Sequence, residues 1–339
     1  MPNFVLQNQN AVYYECGYSC DNEIFIKFND ESFFITDPRY QIEAKEHLKN
    51  TNLIISNDLI KSARLLFRKF GNAKFSIDPN DFSVASFKNL SQNLSINFIP
   101  KPNFSKFKRI IKSKNEINLL KKAAKFGEIG FEKLADFLNN NSNLDEIKIN
   151  FQASNLLKNN GEFGLSFEPI TAINQNAAKA HALPTKTKLK KSDLLLVDAG
   201  VIYQRYCSDR TRTAVFDGKI KFNKNQTFKN QKQNEIFEIV RAAQEKAIKS
   251  IKPGIKACEI DFVAREFIQK AGFGEYFSHS TGHGVGLDIH EFPMISQSSQ
   301  MMIEEGMVFS VEPGIYLENE FGIRIEDVVV VTKNGCEIL

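Results

Sequence analysis

Hydrophobic and polar positions change their period along the chain. Up to about residue 108, short alternating runs (Glu23 to Phe28, Ser32 to Thr36, Asn52 to Ile55, Lys74 to Ile77) have the period of strands, and Leu59 to Phe70 has the apolar spacing of an amphipathic helix. These elements predict a small α/β domain over residues 1–110. At Ser113 the texture changes. Ser113 and Glu116 have capping-box spacing, and Ile117, Leu120, Ala124, Phe131 and Leu138 follow on a helical period. A second domain, residues 111–339, is placed from there.

Within it the order of elements repeats. Helical patterns at 113–138 and 144–158, stopped by Gly161, precede strand-like sequence from Phe167 to Phe216. Helical patterns at 235–252, stopped by Pro253 and Gly254, and at 257–271, stopped by Gly272, precede strand-like sequence from Tyr276 to Val331. The class predicted is α+β, with two helix-helix-sheet halves whose sheets pair into one surface backed by helices. Lys219 to Asn234, rich in Lys, Asn and Gln, is predicted to be a solvated loop between the halves.

Composition narrows the function classes. The 339 residues are 42% hydrophobic and 25% charged, enough for a large core, and the net charge of +4 comes from scattered lysines rather than a basic face, so nucleic acid is not the expected partner. The start, MPNFVLQNQNAVYYECGYSC, has neither a basic n-region nor an apolar h-region. No stretch approaches the ~18 apolar residues of a membrane helix. The expectation is a cytoplasmic protein without a membrane partner. Five dispersed cysteines (Cys16, Cys20, Cys207, Cys258, Cys336) do not make a disulfide framework, and Cys16 and Cys20 have no second Cys or His pair to complete a zinc site. Thirty Phe and no Trp look like coding bias rather than function.

The chemistry lies in the last 142 residues. Asp198, Asp209, His283, Glu312 and Glu326 each sit in a compact signature: LLLVDAG, YCSDRTRT, STGHGVG, VFSVEPGIY and GIRIEDVVVV. Four carboxylates and an imidazole form a hard, oxygen-rich donor set suited to two divalent cations sharing carboxylates. Singly, each has a plainer use. Asp198 could cap a turn with Gly200, and Asp209 could pair with Arg210 or Arg212. Their spacing of eleven residues fits a hairpin joined by VIYQRYC that brings both to one end of a sheet. The glycines around His283 allow close backbone approach. Glu312 ends one strong β-run and Glu326 begins another, where a buried acid is costly unless paired or coordinated.

These signatures resemble the creatinase and methionine aminopeptidase superfamily, with its pita-bread fold, and within it the proline-specific branch of Xaa-Pro aminopeptidases and Xaa-Pro dipeptidases (prolidases). SFFITDPRY, Ser32 to Tyr40, resembles the creatinase-type N-terminal domain, and residues 113–339 the catalytic domain. The resemblance implies that Asp198 holds one metal, His283 and Glu312 the other, and that Asp209 and Glu326 bridge them. Mn is the first expectation, with Co, Zn and Fe also compatible. It implies that Glu312 handles the proton of the attacking water, that His290 stabilises the oxyanion and that His181 contacts the substrate backbone. His279 and Arg324 are then expected to orient the proline side and Glu326. It also implies a homodimer acting on short peptides with proline second. The Xaa-Pro aminopeptidase reading comes first and the dipeptidase second. Methionine aminopeptidase and a non-catalytic pita-bread binding protein remain as further alternatives.

Overall fold

A computed structural model describes residues 3–339, in two compact units, one ending at Arg109 and the other Ile110–Leu339. The first carries strands β1 (Phe4–Leu6), β2 (Glu23–Phe28), β3 (Glu31–Thr36), β4 (Asn52–Ile55), β5 (Lys74–Ile77) and β6 (Asn97–Pro100) in one sheet of order β4-β3-β2-β1-β5-β6. Helices α1 (Gln9–Cys16), α2 (Gln41–His47), α3 (Leu59–Lys69), α4 (Val84–Ser91) and α5 (Phe104–Lys108) accompany it. Its core is built on phenylalanine: Phe28 stacks on Phe70 with centroids 4.0 Å apart, and Phe67 meets Phe75 and Phe98 edge-on at 5.1 and 5.4 Å. Cys16 and Cys20 are buried in this unit, and burial pushes the Cys16 thiol up to about 12. They behave as small apolar groups rather than ligands.

The second unit repeats a helix pair and sheet. Its first half is α6 (Lys114–Asn140) and α7 (Glu146–Leu157), followed by β7 (Gly164–Leu165), β8 (Ile170–Ile173), β9 (Asp193–Ala199), β10 (Val201–Tyr203), β11 (Tyr206–Cys207) and β12 (Arg210–Phe216). Its second half is α8 (Gln231–Ser250) and α9 (Ala257–Lys270), then β13 (Gly282–Gly284), β14 (Glu291–Ile295), β15 (Val308–Val311), β16 (Gly314–Leu317), β17 (Phe321–Arg324), β18 (Asp327–Thr332) and β19 (Gly335–Ile338). The sheets run β12-β9-β8, β11-β10-β7, β14-β13-β15-β18-β19 and β16-β17. No helix is long and apolar enough to cross a membrane among the described residues.

The Ser113–Glu116 capping box is present, and Asp145 caps α7. The buried stripe of α6 runs through Leu120, Ala123, Phe131, Leu134 and Leu138, so Ala123 rather than Ala124 faces inward. Gly130 lets α7 come close, since a Cβ there would fall 2.7 Å from a methyl of Leu157. The apolar run of β9 has a simple cause: both of its faces are buried. Leu195, Val197 and Ala199 join the core under α6 and α7, and Leu194 and Leu196 join the core under α8 and α9. Asp198 therefore shares a face with Leu194 and Leu196.

Two expectations are corrected. Lys219 to Asn234 is not simply a solvated loop: Ile220 and Phe228 are buried in the two cores, and α8 already begins at Gln231, capped by Asn230. The apolar side chains scattered through the polar stretch anchor it. The strand-like sequence from Phe167 to Phe216 is also interrupted by a 3-10 turn, Asn174–Ala178, and by irregular chain up to Asp193.

That irregular segment is held by one buried carboxylate. Glu146, with no exposed surface, accepts hydrogen bonds from the Ile173 and Thr185 amides (2.6 and 2.7 Å), Asn176 Nδ2 (2.9 Å) and Thr185 Oγ1 (2.6 Å). Its place in the first turn of α7 adds the favourable end of the helix dipole. Glu146→Ala leaves these donors without their acceptor, at ~1–3 kcal/mol for each one buried. Urea denaturation is expected to show a loss of about 3–5 kcal/mol, and an unchanged midpoint would contradict this account of the segment.

Candidate metal centre and active-site cavity

Asp198 and Asp209 are brought together by strand pairing. β9 and β12 run antiparallel with Thr211 opposite Asp198, so the carboxylates lie at the same end of the pair. The connection is more than the turn expected from VIYQRYC. Residues 200–209 leave this sheet, form the β10–β11 hairpin against β7, and return. Gly200 permits the return, because a Cβ there would fall 1.9 Å from the Ser208 carbonyl oxygen.

The second half supplies the remaining groups. His283 lies in β13 between two glycines that must stay small: a Cβ at Gly282 would fall 1.9 Å from the Ser310 carbonyl oxygen, and one at Gly284 2.2 Å from that of Phe292. The His283 Nδ1–H donates to the Gly284 carbonyl at 3.1 Å, which turns Nε2 toward Glu312 Oε1 (3.3 Å) and Asp209 Oδ2 (3.7 Å). Glu312 follows β15 and is held by its amide on the Thr281 carbonyl (2.8 Å) and by Ser310 Oγ donating to Oε1 (3.1 Å). Glu326 lies between β17 and β18. Its amide donates to the Thr211 carbonyl at 3.1 Å, and Thr211 Oγ1 donates to its Oε2 at 2.7 Å, so the two halves are hydrogen-bonded together at the site.

All five residues line one cavity of about 470 Å³, together with His181, His279, His290 and Arg324. His47 lies elsewhere, stacked on Tyr18 in the first unit. Asp209, His283 and Glu326 can each offer a ligand atom within 4.8 Å of the others. Asp198 Oδ1 and Glu326 Oε1 are buried without a hydrogen-bond partner, which is costly for carboxylate oxygens unless a cation meets them. The donor set fits divalent metal.

Electrostatics tell the same story. Burial, followed by the neighbouring carboxylates, holds Asp209 and Glu326 well above the usual carboxylate range, and burial raises Asp198 despite Arg324. Glu312 is the exception. Burial opposes its ionisation, but the His283 hydrogen bond and charge hold it down to about 2. In return, against the effect of burial, Glu312 and Asp209 lift His283 to about 9.

Arg324 departs from expectation. Its direct carboxylate partner is Asp198, at 2.7 Å from Nη2, and it reaches Glu326 only through Thr211, to whose Oγ1 its Nε donates at 3.1 Å. Nη1 donates to Tyr316 Oη at 2.7 Å and to the Ala180 carbonyl at 3.2 Å. Arg212 pairs with Asp327 at 2.6 Å, so the plainer pairing of Arg212 with Asp209 is not made. Tyr316 is the group that sequence reasoning passed over. Burial raises its hydroxyl to about 12, and it joins Arg324 to His279 Nε2 at 2.9 Å. Burial lowers the pKa of His279, whose Nδ1–H donates to the Ser280 carbonyl at 2.8 Å, so Nε2 accepts the Tyr316 proton. Tyr316 closes the VEPGIY motif, but only its hydrogen bonds to Arg324 and His279 place it in the site.

Residues 118–333 match the model of metallopeptidase family M24. The chain is 36% identical over 282 residues to an Xaa-Pro dipeptidase of Pyrococcus furiosus, a match covering 80% of this chain and 77% of that one. Among solved structures it is similar to an Xaa-Pro dipeptidase from Bacillus anthracis (TM-score 0.90, 29% identity, 99% of this chain and 92% of that one). It is also similar to an X-Pro aminopeptidase from Thermotoga maritima (TM-score 0.88, 29% identity, 100% and 95%). The pita-bread architecture expected from the signatures is the fold of these relatives. The chain belongs to metallopeptidase family M24.

Proposed function

We propose that this peptidase hydrolyses the bond between an N-terminal residue and a following proline, as an Xaa-Pro aminopeptidase, using two divalent metal ions, Mn first among them. The observation that carries this reading is the buried cluster of Asp198, Asp209, His283, Glu312 and Glu326, with two carboxylate oxygens lacking hydrogen-bond partners, at the wall of a peptide-sized cavity. Asp198 would hold one ion and His283 and Glu312 the other, with Asp209 and Glu326 between them. When bound, such ions lower the pKa of a water so that a nucleophile exists near neutral pH. Glu312, kept ionised by His283, is suited to take the water proton and pass it to the leaving amine. His290, exposed at the cavity, would donate to the oxyanion, and His181, on the segment anchored by Glu146, would meet the substrate backbone.

The names of the relatives divide between dipeptidase and aminopeptidase. The aminopeptidase reading is placed first, and a substrate panel separates the two. Residues 1–110 are read as the creatinase-type domain and the working form as a cytoplasmic homodimer.

Protein stripped with chelator is expected to be inactive and to regain turnover with Mn or Co; full activity without metal would end this reading. Ala-Pro and Ala-Pro-Ala should both be cut before proline, with Ala-Pro-Ala at least as good in kcat/KM, while Ala-Ala should be at least roughly tenfold slower. Preference for Met-Ala-Ser would mean methionine aminopeptidase instead. In the mutant series, Glu312→Gln should lower kcat by several orders of magnitude, and His290→Ala by roughly 10² to 10³ with little change in KM. His47→Ala should behave as wild type.

Metal entry should also release protons. His283, lifted to about 9, carries a proton at pH 7 that ligation removes, and burial opposes the ionisation of Asp209 and Glu326 until a cation meets them. Calorimetry of Mn binding in buffers of different ionisation enthalpy is expected to show proton release and an affinity rising from pH 7 toward 9. Binding without proton release would contradict the electrostatic description of the cluster.

A further inference from the structure

Lys112 and Glu291 form an ion pair at 2.9 Å with both side chains 1% exposed. Ions this deep lose much of their hydration energy, and an apolar pair of similar size is often as stable. Separating such a pair strands a buried charge, so its two ends stay together. Both ends here are tied to backbone. The Lys112 amide donates to the Gly306 carbonyl at 2.9 Å, Ile111 bridges to Met307, and Ser113 caps α6. Glu291 opens β14 opposite Gly284, where the register shifts next to His283. Its Oε1 accepts from the Asp288 amide at 3.1 Å, and Gly286 lies so close that a Cβ there would fall 2.4 Å from Oε2. The loop from Gly286 to Glu291 is thus folded around one carboxylate.

The residue before that carboxylate is His290. Its ring meets the His283 ring edge-on, with centroids 4.3 Å apart, and it lines the cavity while Glu291 turns inward to Lys112. His290 itself is exposed, and its backbone belongs to the loop that Glu291 holds.

We propose that the buried Lys112–Glu291 pair sets the position of His290 beside His283, making Lys112 and Glu291 positioning residues for the reaction. This rests on the function proposed above. Neither residue touches substrate; they act by fixing the loop on which the oxyanion donor rides.

The test uses Lys112→Met/Glu291→Gln, which leaves no uncompensated charge, beside the single Lys112→Met variant, whose stranded carboxylate endangers folding. The double variant is expected to keep its Mn content and its KM, and to lose kcat by roughly ten- to a hundredfold. In a His290→Ala background the same two changes should cost no further kcat, because the pair acts through that imidazole. Wild-type kcat, loss of metal, or an equal loss in the His290→Ala background would each overturn the proposal. A second readout needs no activity. In protein carrying ¹³Cε1-labelled histidine, the double variant should shift or broaden the His290 resonance, assigned through His290→Ala, and leave that of His47 in place. An unmoved His290 resonance overturns the proposal whatever the reaction. A moved one, in a wild-type protein that cleaves no Xaa-Pro peptide, supports the positioning role and defeats the proposed function instead.

Discussion

Four carboxylates packed into one buried cavity repel each other, and the second unit is organised around managing that repulsion. Coulomb energy between like charges a few ångströms apart is a few kcal/mol even at an effective dielectric of about 20. Arg324 on Asp198 and His283 on Glu312 offset part of it. Asp209 has only the same His283, farther off at 3.7 Å, and Glu326 meets no cation directly, and these two are held well above the normal carboxylate range. A metallopeptidase uses such stored repulsion as affinity for divalent cations, which explains why the cluster can persist in a chain that must also be stable.

Holding the groups so close requires backbone rather than long side chains. Asp198 lies in β9 and Asp209 just before its partner β12, His283 and Glu312 come from segments joined through the Thr281 carbonyl and the Ser310 hydroxyl, and Glu326 is fastened by its amide to Thr211 of the other half. Each contact crosses between elements that a helix pair backs, so the rigidity of two apolar cores is transmitted to a polar centre. The outer groups are fastened differently. His181 rides on a segment tied to Glu146, His279 is bracketed by Tyr316 and Ser280, and His290 follows the loop folded on Glu291. Buried polar anchors supply here what regular strands supply to the carboxylates.

Much of this was readable from residues. Helix limits followed from capping and stop signals that act locally, as at Ser113 and Gly254, but α8 begins four residues earlier than its apolar period suggested, capped by Asn230, because polar residues form its first turn. That Asp198, Asp209, His283, Glu312 and Glu326 would gather was readable because each sits in a short signature beside a strand. What stayed hidden depends on contacts distant in sequence. Nothing near Lys112 announces a partner 179 residues away, nothing in VEPGIY says that its tyrosine links an arginine to a histidine, and the scattered Ile220 and Phe228 look solvated until two cores receive them. Ion pairs carry no period, so pattern reasoning has no purchase on them.

We propose that the buried carboxylates serve to hold a pair of divalent cations. Elemental analysis of protein reconstituted with Mn and passed through a desalting column tests it most directly, with Asp209→Asn measured alongside. Two metal ions per chain are expected in the natural sequence and one or none in the variant. Protein that retains no metal, or a variant that retains as much as the natural sequence, would contradict it.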